Sequence, residues 1–180
     1  EDSNKTIYTY GYTVPSGDGT GTITLSIGTD LVGNVVTSTP TSGATFNVDN
    51  TAPTITGVSL ASNNTTIAVT FSEAVYNTNS GSGSLEVGDF EFSLSGGNAT
   101  LSSTTPSSIS ISGNEYTLGI SLSGTPNGSE TLTVNPVSSS IYDAAGNEAS
   151  TSQSNNTVSL NDQLAPTITG VVLEGNNATD

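Results

Sequence analysis

The sequence predicts an all-β chain of antiparallel β-sandwich repeats strung end to end in an elongated array. Three observations carry that expectation: apolar residues alternate with polar ones over short runs, turn formers separate the runs, and whole phrases return at a fixed interval. In "TTIAVTF" the residues Ile67, Val69 and Phe71 fall on one face, and in "EYTLGISL" Tyr116, Leu118, Ile120 and Leu122 do the same. A period of two belongs to a strand with one face buried and the other in water. No run of useful length shows a helical period.

Taken in order, strands are predicted at "TITGVSL", "TTIAVTF", "FEFSL", "SSISIS", "EYTLGISL", "ETLTV" and "NTVSL", with turn formers such as "SGSGS", "SGGN" and "TPNGS" among them. In the first strand the alternation slips after Gly57, which predicts a bulge moving it from one sheet toward the other. Asn127-Gly128 predicts a hairpin turn, since both residues tolerate positive φ. The expected core is Ile67, Val69, Phe71, Phe90, Phe92, Leu118, Ile120, Leu132 and Val134. About seven short strands in a unit of this size is the count of an immunoglobulin-like β-sandwich.

The recurring phrases set the unit. Pro53 and Pro166 stand 113 positions apart, as do Asp30 of "DLVGN" and Asp143 of "DAAGN", Asp49 and Asp162, and the pair Asn63, Asn64 and the pair Asn176, Asn177. A single period held at separated places marks a tandem array. Residues 53–165 are expected to form one complete repeat, residues 1–52 the C-terminal part of the one before, and residues 166–180 the first strand of the next. About fifty residues are too few to bury a core alone. The first segment therefore needs strands from upstream in the same polypeptide or from a neighbouring chain. In its "YTYGY" phrase, alternation places Tyr8, Tyr10 and Tyr12 on one strand face, where core packing is the expected use.

Composition excludes several functions. One basic residue, Lys5, stands against sixteen acidic ones, for a net charge of −15. Nucleic acid binding requires Lys and Arg to displace counterions, so that partner class is excluded, as are anionic membrane surfaces. No apolar run is long enough to span a bilayer, so membrane insertion is not expected. The chain has no Cys and no His, which removes the usual nucleophiles and general bases, and an enzyme is not expected. Glu73 with Asp143 is the carboxylate pair a glycosidase would use, but the chain has no Trp to line a sugar cleft.

The phrases "TAPTITGVSL", "VTFSEAV", "VGDFEFSLSGG" and "IYDAAGNEAS", in this order, resemble the bacterial immunoglobulin-like repeats of S-layer proteins and giant surface adhesins. "GTITLSIGTDLVGN" followed by "FNVDNTAPT" is similar to the tail of such repeats in long adhesins. "NDQLAP" looks like the acidic linker between cadherin domains. The resemblance implies an extracellular, cell-surface location and neighbouring repeats of the same chain as the main partners.

End-to-end stringing places the acidic phrases. If a repeat is entered at one pole and left at the other, its first strand leaves the linker pole and its second returns. Glu73, just past the second strand, then lies beside Asp49 and Asn50 of the linker. The loop before the last strand brings Asp143 and Asn147 to the same pole. Asp30 and Asn34 hold the corresponding places in the preceding repeat, and Asp162 contributes to the next site. Carboxylates brought close repel unless a cation lies between them. Ca2+ suits such hard oxygen ligands in flexible geometry. Each motif also has a structural use: Asp, Gly and Asn suit a tight turn, and an acidic residue before Pro suits a stiff linker. Gln163 stands where Asn50 has its counterpart, a departure between the two junctions. The expected function is a calcium-stiffened, non-catalytic spacer holding a distal binding domain from a bacterial surface. The alternative is a subunit of an extracellular filament or surface layer, with identical chains exchanging strands.

Overall fold

The computed structural model of the 180-residue chain describes residues 9–14 and 16–172. Among them the regular structure is all β apart from one 3-10 turn, Val87–Asp89. The strands are β1 (Gly19–Thr22), β2 (Thr45–Val48), β3 (Ile55–Leu60), β4 (Thr66–Phe71), β5 (Phe90–Ser95), β6 (Thr100–Leu101), β7 (Ile109–Ser112), β8 (Glu115–Gly119), β9 (Leu122–Ser123), β10 (Thr131–Pro136) and β11 (Thr157–Ser159). No helix among the described residues is long and apolar enough to cross a membrane.

One sheet has the order β3-β4-β8-β7 and a second the order β11-β10-β5, every pairing antiparallel. Taken in chain order these are the ABED and CFG sheets of an immunoglobulin-like sandwich. β6 and β9 form a two-residue ladder of their own, and β1 pairs with β2. Burial alternates residue by residue along β4 and β10, as a half-buried pleat requires. Ile55, Ile67, Val69, Phe71, Tyr116 and Leu118 from one sheet meet Phe90, Phe92, Leu132 and Val134 from the other in a single core. All nine expected core residues are buried there, each large side chain contributing about 1.5–3 kcal/mol.

Four expectations are corrected. The register of β3 against β4 does shift between Ile55 and Gly57, so the bulge exists, but β3 pairs with β4 on both sides of it. The bulge accommodates an extra residue without moving the strand to the other sheet. Asn127-Gly128 does not close a hairpin, because β9 pairs with β6 while β10 pairs with β5 and β11. Instead this turn wraps a buried carboxylate. Glu130 is fully buried and accepts the N–H groups of Asn98, Ala99 and Asn127. Led by the Ala99 hydrogen bond, these donors hold its carboxyl down at about 2. Gly97 is part of this cradle, since a Cβ there would collide with the Glu130 carboxyl group.

The other two corrections concern the flanks. Tyr10 and Tyr12 are 86% and 72% exposed and lie in no strand, because the described part of 9–52 offers no opposing sheet; Tyr8 lies outside the described residues. Residues 166–172 form no strand, and Ile168, Val171 and Val172 are exposed. A lone extended segment has no ladder to join.

Candidate metal centre

The core beneath one pole of the sandwich fixes the candidate site. Phe71 at the end of β4 packs edge-on against Tyr116, with ring centroids 5.7 Å apart, and Phe90 closes the aromatic cluster. The chain leaving β4 is held down by buried Val75, whose carbonyl accepts the Tyr116 hydroxyl at 3.3 Å. Tyr76 and Tyr142 then exchange both backbone hydrogen bonds, at 2.7 and 2.8 Å. This short bridge lashes the segment carrying Glu73 to the loop carrying Asp143.

That loop, 142–148, is built around its own carboxylate. Asp143 Oδ1 accepts the N–H groups of Ala145 and Asn147, each at 2.8 Å, and Oδ2 accepts Asn147 Nδ2 at 2.7 Å. Asp143 N–H donates to the Asn147 carbonyl at 3.1 Å. Gly146 sits at φ 93°, a conformation open to glycine, with the Asn79 carbonyl 2.6 Å from where a Cβ would stand. Ile141 and Ala149, both buried, anchor the two ends of the loop.

The linker supplies the third carboxylate. One carboxylate oxygen from each of Asp49, Glu73 and Asp143 lies within 4.8 Å of the other two. Asp49 is exposed, Glu73 half-buried and Asp143 fully buried. Burial raises the Glu73 pKa, and the charges of Asp143, Asp49 and Asp18 push it further up. Three acidic oxygens from three separate segments, with no Arg or His in the chain and a single Lys, concentrate negative charge at the linker pole. Such a set can ligate a hard divalent cation through oxygens, and Ca2+ accepts this kind of irregular coordination. Of the about four lone-pair sites of the Asp143 carboxylate, its three donors leave one for a cation.

The structure therefore brings together Asp49, Glu73, Asp143 and Asn147 as the topology argument expects, but two roles differ. Asn147 turns its amide nitrogen inward, to Asp143 Oδ2 and to the Asp49 carbonyl at 3.2 Å; it braces the site. Asn50 faces away, donating through Nδ2 to the Gly17 carbonyl and through its N–H to Asp18 Oδ1, both at 2.7 Å. Its side chain points to the opposite side from that of Asp49, as neighbouring side chains of an extended segment do. Asp18 is the residue sequence reasoning missed: it belongs to no repeated phrase, and its Asp-Gly pair reads as an ordinary turn.

Asp30 and Asn34 reproduce the Asp143 loop in an exposed setting, with Asn34 N–H donating to Asp30 Oδ1 at 2.8 Å and Asn34 Nδ2 to Oδ2 at 2.7 Å. Among the described residues no group of three acidic side chains forms around Asp30. Asp162 accepts the Leu164 N–H at 2.8 Å, the same turn that Asp49 makes with Thr51 at 3.1 Å, and among the described residues it joins no group of three acidic side chains.

Fold and site together define an immunoglobulin-like sandwich with an acidic pole. No family model matches the chain, and no curated protein does. Among solved structures it is similar to the N-terminal part of the bacterial S-layer protein SbsC, at 27% identity and a TM-score of 0.42. The match covers 62% of this chain and 24% of that one, so the similarity spans about a quarter of the solved protein. A likeness at that TM-score adds nothing to fold or function.

Proposed function

We propose that this chain is a non-catalytic structural segment of a bacterial cell-surface protein, in which repeats are strung end to end and calcium at each junction stiffens the array. The carrying observation is the convergence of Asp49, Glu73 and Asp143 from linker, second strand end and last loop. Without a cation the three carboxylates repel, and the linker swings away to relieve it; with one, the linker is drawn onto the sandwich. Binding only to the ordered form stabilises it by RT ln(1 + L/Kd), about 2.7 kcal/mol when the free calcium concentration L is a hundredfold above Kd. Calcium should therefore raise the melting temperature of the 180-residue chain and lengthen it in small-angle scattering. Asp143→Ala should abolish both responses, and an unchanged chain on adding chelator would sink the reading.

A second reading, a subunit of a filament or surface layer, draws on residues 9–52. Ile27 and Leu31 are 91% and 92% exposed, and Val32 and Val35 are also exposed. Apolar side chains this open want cover. Strands of the same polypeptide supply it in a spacer, and a second copy supplies it in a filament. Sedimentation at increasing concentration separates the two, since only the filament self-associates.

A further inference from the structure

Neighbouring residues of the linker are held by opposite sides of the junction. Val48 is the last residue of β2, paired to Gly19 of β1. Two residues later Asn50 is tied back to the same unit, its N–H on Asp18 Oδ1 and its Nδ2 on the Gly17 carbonyl. Thr51 follows, its hydroxyl donating to Asp18 Oδ2. Asp49 lies between Val48 and Asn50, and it alone of the three reaches forward, its carbonyl accepting Asn147 Nδ2 and its carboxylate joining Glu73 and Asp143.

We propose that Asp18 is the positioning residue of this joint: by fixing Asn50 and Thr51 it turns Asp49 from a swinging linker residue into a rigid projection of the preceding unit. With both neighbours of Asp49 fastened upstream, its carboxylate cannot follow a bend of the linker. Any bend is confined to residues 51–53 and must break the Asn147 contact with Asp49. Asp18 touches neither Glu73 nor Asp143 through a hydrogen bond, so it acts through the linker backbone. Its charge still reaches the cluster, as one of the three that raise the Glu73 pKa. The downstream junction fastens the corresponding neighbours by other means: Asn161 exchanges hydrogen bonds with Asn64, and Gln163 N–H donates to the Pro126 carbonyl at 2.9 Å, with no carboxylate among the described residues in the place of Asp18. The two junctions therefore differ in what holds the acidic linker residue, a carboxylate at the first and amide and carbonyl groups at the second.

The inference rests on reading the linker as a working joint, and its test separates the two ideas. The chain has no cysteine, so exposed Ser42 and Ser112 can be changed to Cys and spin-labelled as unique sites on either side of the linker. In chelator and in calcium, Asp18→Ala should broaden the label-to-label distance distribution relative to the parent, with Thr51→Val doing so to a lesser degree. Amide exchange at Asn50 should quicken about tenfold in Asp18→Ala, the loss of one charge-assisted hydrogen bond. In chelator the thermal midpoint of the sandwich should not move. Asn50 exchange and distance widths equal to the parent's in Asp18→Ala would overturn the proposal. If Asp18→Ala broadens the distribution but calcium changes nothing in the parent, the positioning role stands and the calcium reading falls. If calcium narrows the parent's distribution and Asp18→Ala matches the parent in both conditions, the reverse holds.

Discussion

The loops 29–35 and 142–148 share one design and differ in everything around it. Asp30 N–H donates to the Asn34 carbonyl at 3.0 Å, as Asp143 does to Asn147 at 3.1 Å. Thr29 bridges Val35 as Tyr142 bridges Glu148, and Gly33 and Gly146 hold φ of 92° and 93°. Yet Asp30 is exposed while Asp143 is fully buried among other carboxylates. Five residues of the Asp-x-x-Gly-Asn kind thus fold themselves through their own side chain-to-backbone hydrogen bonds. Burial, charge clustering and site character come from elsewhere. Position 141 is Ile and is buried, while its partner 113 positions earlier is Gly28, with no side chain to anchor.

The largest expected effect comes from removing what lies beneath the buried loop. Phe71→Ala should cost about 3–5 kcal/mol of unfolding free energy while leaving amide protection at Asn34 unaltered. A variant as stable as the parent in a denaturant melt would mean that the aromatic cluster does not support the sandwich.

A smaller and sharper contrast lies in the paired glycines. Alanine at either position meets strain of about 1–3 kcal/mol from the positive φ. At Gly146 it also meets the Asn79 carbonyl, whereas at Gly33 nothing lies within 4 Å. Gly146→Ala should lower global stability, and Gly33→Ala should appear only as faster exchange at Asn34. Equal global losses would show that the first loop is as firmly packed as the second.

The smallest effects are electrostatic and carry opposite signs. Glu130 has its folded pKa lowered to about 2, so the stability it contributes is complete above the ordinary Glu range, about 4.3, and is lost as pH falls toward about 2. The folded pKa of Glu73 is raised, so without a cation its ionisation costs stability, which declines as pH rises through and just above the ordinary carboxylate range. In chelated protein, Glu130→Gln should remove part of the acid-side loss and Glu73→Gln part of the decline on the other side. Matching pH profiles for the two variants would contradict this.

The fold was legible because it rests on period-two alternation, which survives in β4, β8 and β10 without help from the rest of the chain. Three of the acidic positions were legible because pole assignment follows from strand count alone. What sequence could not supply was orientation. Asn50 and Asn147 sit where expected, but which way an amide faces depends on Asp18 and Asp143, partners 32 and 4 residues away. Asn127-Gly128 misled for a related reason: a turn rule assumes that the flanking strands pair, and here they belong to different sheets.

The far pole of the sandwich has a mechanical consequence. Asn64, buried and at φ 58° in the turn between β3 and β4, accepts Asn161 N–H at 2.9 Å and donates to the Asn161 carbonyl at 2.8 Å. This clasp joins the departing chain to the hairpin of the first two strands of the sandwich. A pull along the chain therefore arrives at β3 and leaves past Asn161 with both points already fastened to the same hairpin. Tension runs along the backbone of β3 to the turn and crosses from Asn64 to Asn161 through the clasp. While the clasp holds, the pull bypasses the rest of the sandwich, whose strands bear no load until those two hydrogen bonds part.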